Sequence, residues 1–240
     1  MSKFTIPTVS LKDYLSNDEA RNKKFIDTVG MALSEIGFFA LSDHNLSDEE
    51  IAVAYEKSKD FFALSSAIKK SYVVPGIQGQ RGFTAFGVEH AKDHDAPDLK
   101  EFWHIGQELS DPKYSETYPN NIWPEQTEGF KETMLDLYGK LENCALSILE
   151  ACALYISEDK NRISETAVEG NSILRLIHYP ELAEDRNPSA VRAAAHEDIN
   201  LITLLIDATS SGLELLDRDG NWMPVITPKN CIIEIGRAHV

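Results

Sequence analysis

The sequence predicts an α+β protein with a mainly β core, in which helices precede a sandwich or barrel of short strands. Three observations predict it. Apolar residues recur every three or four positions in long stretches before residue 160, which marks helices with one buried face. From residue 171 the apolar period falls to two, which marks strands. Asp217-Arg218-Asp219-Gly220-Asn221 then separates two apolar runs, a hairpin turn by its Asp-Gly pair.

The elements follow in order. Ile6 to Ser10 reads as a short edge strand. Residues 18–36 form a helix with Phe25, Val29, Leu33 and Ile36 on one face, stopped by Gly37. Phe38 to Leu41 is a short strand. Ser47 caps the next helix with Glu50 three residues on, a capping box, and that helix carries Ile51, Ala54, Ser58, Phe61 and Phe62. Residues 75–125 are rich in Gly, Pro and aromatics. Within them, Arg81 to Gly87 and Lys100 to Gly106 read as short strands over a cavity or core. The longest helix covers about 127–156, with Phe130, Met134, Leu137, Leu141, Cys144, Ala145, Ile148 and Cys152 as its buried stripe. Strands follow at Ile173–Tyr179, at 199–206, at Leu213–Leu216, at Trp222–Val225 and from Asn230. Short strands at this spacing suit a sandwich or barrel.

Composition narrows the function. The chain has 240 residues, 42% hydrophobic and 26% charged, which excludes a wholly disordered or collagen-like protein. Lys and Arg number 23 and Asp and Glu 39, for a net charge of −16. That field repels nucleic acid and anionic lipid, although a local arginine can still hold a small anion. No apolar run approaches the roughly 18 residues of a membrane span, and Met1 to Tyr14 lacks the apolar core of a secretory signal. The three cysteines, Cys144, Cys152 and Cys231, have no CxxC spacing. A reduced, cytoplasmic protein is expected, and neither nucleic acid nor membrane is an expected partner.

The chemistry centres on His196-Glu197-Asp198, at the entrance to an aliphatic strand. Residues i and i+2 of an extended chain share a face, so His196 and Asp198 converge. An imidazole beside a carboxylate supplies two members of a 2-His-1-carboxylate iron site. The pair alone recurs by chance, and its alternative is a polar surface pair. His44, His90, His94 and His104 have no carboxylate at strand spacing and read as surface or packing residues. His104 and Phe102, with Trp103 between them, are also candidates to line a substrate pocket.

Residues 192–225 resemble the core of the isopenicillin N synthase-like family of Fe(II)- and 2-oxoglutarate-dependent dioxygenases. The resemblance rests on His196-x-Asp198, the strand Leu201 to Leu205, Gly212-Leu213-Glu214-Leu215, Trp222 and Val225. Ile6-Pro7, Gly37-Phe38-Phe39 and His44 resemble the family's N-terminal module, and Leu174 to Pro180 its strand ending in Tyr-Pro. The resemblance implies a double-stranded β-helix, or jelly roll, fronted by a helical module. It implies His196 and Asp198 as iron ligands. It also implies that Tyr179 contacts 2-oxoglutarate, the alternative being a packing tyrosine. The implied reaction consumes O₂, converts 2-oxoglutarate to succinate and CO₂, and oxidises a small molecule. Alternatives are an oxidase of the isopenicillin N synthase type that uses no 2-oxoglutarate, an ethylene- and succinate-forming enzyme, and a non-catalytic jelly-roll fragment.

The implied organisation is an N-terminal module over 1–110 and the start of the jelly-roll domain over 111–240. The family places a distal His and an Arg-x-Ser clamp well beyond Trp222, and this chain stops before either, so its last strands are expected to be missing. His239 stands too close to serve as the distal ligand. Glu234 to Val240 is the translation of GAG ATC GGA AGA GCA CAC GTC, which from its second base matches a common sequencing-library adapter. Residues 235–240 are therefore expected to be a non-native tail in which Gly236, Arg237 and His239 have no role. An open sheet edge would then lower stability and activity. Genomic DNA encoding the same tail would refute this.

Overall fold

A computed structural model of the chain describes residues 6–89, 98–109, 111–114, 118–181, 200–206, 213–216 and 220–236. The elements are β1 (Thr8–Ser10), α1 (Leu11–Tyr14), α2 (Glu19–Glu35), β2 (Phe38–Ser42), α3 (Asp48–Phe62), α4 (Ser66–Lys70), β3 (Gly82–Thr84), β4 (Glu101–Gly106), α5 (Phe130–Tyr155), β5 (Ile173–His178), β6 (Thr203–Leu205), β7 (Glu214–Leu216), β8 (Trp222–Pro224) and β9 (Ile232–Ile235). No helix among the described residues is long and apolar enough to cross a membrane.

The chain divides into two compact units that interleave in sequence. The first takes its described residues from 6–46, 140–168 and 200–236. Its four-stranded sheet runs β1-β2-β9-β6, with β1 parallel to β2 and β9 antiparallel to both neighbours. The expected edge position of β1 is thus observed. One sheet face carries Phe38, Ala40, Ile233 and Ile235, packed with Ile6, Cys231, Leu205, Met223 and Val225. α2 lies against β1 and β2. Asp18 caps α2 by accepting from the Ala20 and Arg21 amides, and Gly37 ends it at φ +86°, a left-handed conformation that favours glycine. β7 pairs antiparallel with β8, as the predicted hairpin requires, with Gly220 at φ +82°, while Asp217, Arg218 and Asp219 of its turn lie outside the described residues. β6 is shorter than the strand expected over 199–206.

The second unit takes its described residues from 47–89, 98–139 and 169–181. Its sheet is β3-β4-β5, antiparallel throughout. All six residues of β4 are buried. Alternation sends Glu101, Trp103 and Ile105 to one face and Phe102, His104 and Gly106 to the other. The first face meets an aromatic core. There Phe61 of α3 lies 4.6 Å from Trp103, 5.8 Å from Phe83 and 6.0 Å from Phe130, ring centre to ring centre. The capping box that starts α3 is complete: Ser47 accepts from the Glu50 amide and Glu50 from the Ser47 amide. α4 was not expected; Ser65 caps it, and its five residues are too short to show a period.

Candidate functional site

The second face of the β3-β4-β5 sheet gathers most of the candidate residues. Register places Phe102 opposite Ile177, His104 opposite Arg175 and Gly106 opposite Ile173. All six side-chain positions therefore lie on one face. Phe102 and His104 are 3% and 6% exposed, whereas Ile173 and Ile177 are 38% and 41% exposed. The face is thus floored by β4 and open along β5.

His104 is held at both ring nitrogens. Nδ1 lies 2.6 Å from the Gly79 carbonyl, which only accepts, so Nδ1 carries the proton. Nε2 then accepts from Arg175 Nε at 2.6 Å. Burial above all, and the positive charge of Arg175 next, push the His104 pKa down to about 4, so the ring is neutral at physiological pH. The loop that supplies the Gly79 carbonyl depends on glycine. Gly79 sits at φ +73°, and a Cβ there would meet Thr84 Oγ1 at 2.7 Å.

Arg175 lies with its guanidinium carbon 4.6 Å from the centre of the Phe102 ring, a cation–π contact. Its Nη2 is 3.4 Å from Glu89. Glu89 is held more closely by Lys100 at 2.8 Å, and Lys100 also pairs with Asp98 at 2.9 Å. Burial raises the Glu89 carboxyl, but the Lys100 hydrogen bond and the charges of Arg175 and Lys100 outweigh it and hold it below its usual range. At the far end, Arg81 is 1% exposed and spreads over Gly106, where any Cβ would sit inside its guanidinium. Arg81 donates to the Gln80 carbonyl at 2.7 Å and to Asn171 Oδ1 at 3.3 Å, and its Nε has no partner among the described residues. Tyr179 follows Ile177 by two positions. Burial raises its pKa, and the charges of Lys100, Asp98, Arg175 and Glu89 reach its hydroxyl.

The expected pocket residues Phe102 and His104 are therefore adjacent, with ring centres 4.6 Å apart, and Tyr179 joins the same charged cluster. The expected iron ligands His196 and Asp198 lie outside the described residues, as do His90, His94, Arg237 and His239. Among the described residues no group of three or more His, Cys, Asp or Glu is arranged to hold a metal. They do offer a donor suited to an oxygen of 2-oxoglutarate, in the Tyr179 hydroxyl. His44 is a packing residue whose Nδ1 accepts from the Leu46 amide at 3.4 Å. The sequence reading missed Arg175, Arg81, Glu89 and Lys100. The available signal was Arg175, four positions before Tyr179 and therefore on its face of the strand.

Comparison with known proteins gives the class, a non-haem iron oxygenase. The non-haem dioxygenase N-terminal family (described as that of morphine synthesis) matches residues 6–126, and the 2OG-Fe(II) oxygenase superfamily matches residues 170–240. Proline hydroxylase buaE of Petromyces alliaceus is 31% identical over 223 residues, covering 89% of this chain and 68% of that protein. The 2-oxoglutarate-dependent dioxygenase imqE of Aspergillus flavus is 28% identical over 250 residues, covering 92% and 68%. A solved 2OG-Fe(II) oxygenase family protein of Caulobacter crescentus superposes with a TM-score of 0.84 at 38% identity, over 97% of this chain and 74% of that one. A full-length Neurospora crassa protein, solved in complex with 2-oxoglutarate and thymine, gives a TM-score of 0.84 at 25% identity, over 98% and 75%.

The chain belongs to the Fe(II)- and 2-oxoglutarate-dependent oxygenase family. Its fold is the jelly roll of that family, its cofactor is Fe(II), and its co-substrates are 2-oxoglutarate and O₂. Reactions that use no 2-oxoglutarate are not favoured by these relatives.

Proposed function

We propose that this oxygenase oxidises a small molecule in the cytoplasm, with His196 and Asp198 as two of the iron's protein ligands. On this reading Tyr179 contacts 2-oxoglutarate, and Phe102 and His104 line the pocket of the prime substrate. When bound, Fe(II) and 2-oxoglutarate supply the oxidising chemistry, in which loss of CO₂ and formation of succinate accompany oxidation of a substrate C–H bond. The chain's own residues orient the reactants. Phe102 offers an apolar wall, neutral His104 fixes its neighbour Arg175, and the Tyr179 hydroxyl donates to a co-substrate oxygen.

The observation that carries this reading is the common face of Phe102, His104 and Arg175, with Tyr179 in the same charged cluster. Three free cysteine thiols support a reducing compartment. The test is succinate release under air with Fe(II), ascorbate and 2-oxoglutarate. The wild type is expected to release succinate and His196→Ala to lose it. Equal release by both would remove His196 from the iron site, and a fluorescent fusion found outside the cytoplasm would overturn the placement.

A further inference from the structure

Among the described residues, the charges on the β4-β5 face do not balance. Lys100 is matched by Glu89 and Asp98, both within 3 Å. Arg175 has only the looser 3.4 Å approach to Glu89, which it shares with Lys100. Arg81 has no ion pair among the described residues, and its Nε is buried without a partner. Arg81, Lys100 and Arg175 thus face Glu89 and Asp98, with His104 neutral between the two arginines. Among the described residues one positive charge is left over on this face, in a chain of net charge −16. A surplus cation beside low-dielectric walls attracts an anion and holds it more tightly than one in open water.

Among the described residues the surplus is reachable at one place. Arg81 is 1% exposed and closed in by Gly106, Gln80 and Asn171. The Arg175 side chain is 37% exposed. Its stem is fixed by two contacts, Nε to His104 and the guanidinium over Phe102. Nη1 has no partner among the described residues. A guanidinium clamped at one edge presents its other N–H groups in a set direction, which suits a carboxylate. Ile173 and Ile177 flank it two positions away on either side, both substantially exposed.

We propose that Arg175 is a specificity-determining residue that pairs with a carboxylate of the prime substrate, whose apolar body lies on Ile173 and Ile177. This rests on the reading of the face as a prime-substrate pocket. His104 acts through Arg175 as a positioning residue, because its unprotonated Nε2 accepts the bond that aims the guanidinium. A monoanion matches a surplus of one charge, whereas a phosphate dianion exceeds it. 2-Oxoglutarate is also a carboxylate but has no apolar body for the two isoleucines to cover.

The test measures binding, so it does not depend on turnover. The chain is titrated under nitrogen with hexanoate and phenylacetate, and with the matching neutral amides hexanamide and phenylacetamide. Each titration is run with and without Fe(II) and with saturating 2-oxoglutarate. The acids are expected to bind at least tenfold more tightly than their amides. Arg175→Gln is expected to erase that preference and Arg175→Lys to retain part of it. His104→Leu should weaken acid binding several-fold, and His104→Gln, which keeps a donor and an acceptor, should restore most of it. The Kd of 2-oxoglutarate should move less than twofold in all four variants, each checked for a native-like thermal midpoint.

Three results overturn the proposal: equal binding of acid and amide by the wild type, loss of acid binding at saturating 2-oxoglutarate, or a parallel rise of the 2-oxoglutarate Kd in Arg175→Gln. The last two assign the cation to the co-substrate. Failure of the wild type to release succinate would count against the proposed function and leave the acid preference to be read on its own.

Discussion

Glu101 in β4 and Glu234 in β9 are the same side chain in closely similar settings, each on a strand paired on both sides, 4% and 0% exposed. Glu101 has partners. Lys69 donates to its Oε1 at 2.6 Å, His178 Nδ1 lies 2.8 Å from the same oxygen, and Phe62 stacks on His178. Glu234 has none among the described residues, and both its oxygens are buried without a hydrogen bond. Burial pushes its pKa up to about 8, and the nearby Cys152 thiol is pushed up to about 12, chiefly by burial. A buried charge is tolerated when paired and neutralises itself when it is not. The buried Glu101 therefore belongs to a built network, whereas the buried Glu234 is a lone cost.

The sharpest way to break this comparison is to make one substitution at both places. Glu101→Gln leaves Lys69, whose side chain is 12% exposed, without its counter-charge. It is expected to destabilise the protein by about 3 kcal/mol. Glu234→Gln removes the cost of keeping an unpaired carboxyl protonated and is expected to stabilise at pH 7 by roughly 3 kcal/mol. Denaturant midpoints of the two variants and the wild type measure both. Effects of equal sign would mean that the two settings are not different in kind.

The pH dependence sharpens it further. A carboxyl whose pKa is raised from 4.5 to about 8 on folding binds more protons in the native state. Its contribution is whole below pH 4.5 and is lost as the pH rises through about 8. The advantage of Glu234→Gln should therefore vanish near pH 4.5 and grow up to about pH 8. His104 runs the other way. Its pKa falls from 6.5 to about 4 on folding, so stability is whole above 6.5 and is lost as the pH drops toward 4. The loss is roughly 3 kcal/mol. Hydrogen exchange, corrected for intrinsic rates, should show β4 opening more easily at pH 4 than at pH 7, with β9 the reverse. Exchange that shifts in the same direction in both strands would refute the assignment.

Local features were legible in the sequence because their causes are local. The Ser47–Glu50 box, the Gly37 stop and the Asp-Gly hairpin each need only a few neighbouring residues. The face shared by Phe102 and His104 follows from alternation alone. What was not legible depends on pairing between distant segments. His104 and Arg175 meet across 71 positions, a register that no local pattern encodes. Alternation with Ile233 and Ile235 would turn Glu234 to solvent on a half-buried strand. β9 instead lies between β2 and β6 with all four of its residues buried. The same limit applies to Arg81, whose place over Gly106 needs β3, β4 and the loop before them together.

The smallest effects should come where each unit meets solvent. Ser47 and Glu50 satisfy amides at the start of α3, so Ser47→Ala strips one acceptor from the first turn. A loss of about 1 kcal/mol is expected. Lys23 and Asp27 form an i,i+4 pair on α2 at 2.9 Å, with side chains 76% and 44% exposed. Water and salt screen such a pair, and Asp27→Asn should cost no more than about 0.5 kcal/mol. The two belong to different units, yet their ranking follows from exposure alone, since a cap replaces a missing backbone bond while a solvated pair replaces only water. If Asp27→Asn cost as much as Ser47→Ala in the same denaturant titration, solvent screening could not be what separates the surface pairs from the Glu101 network.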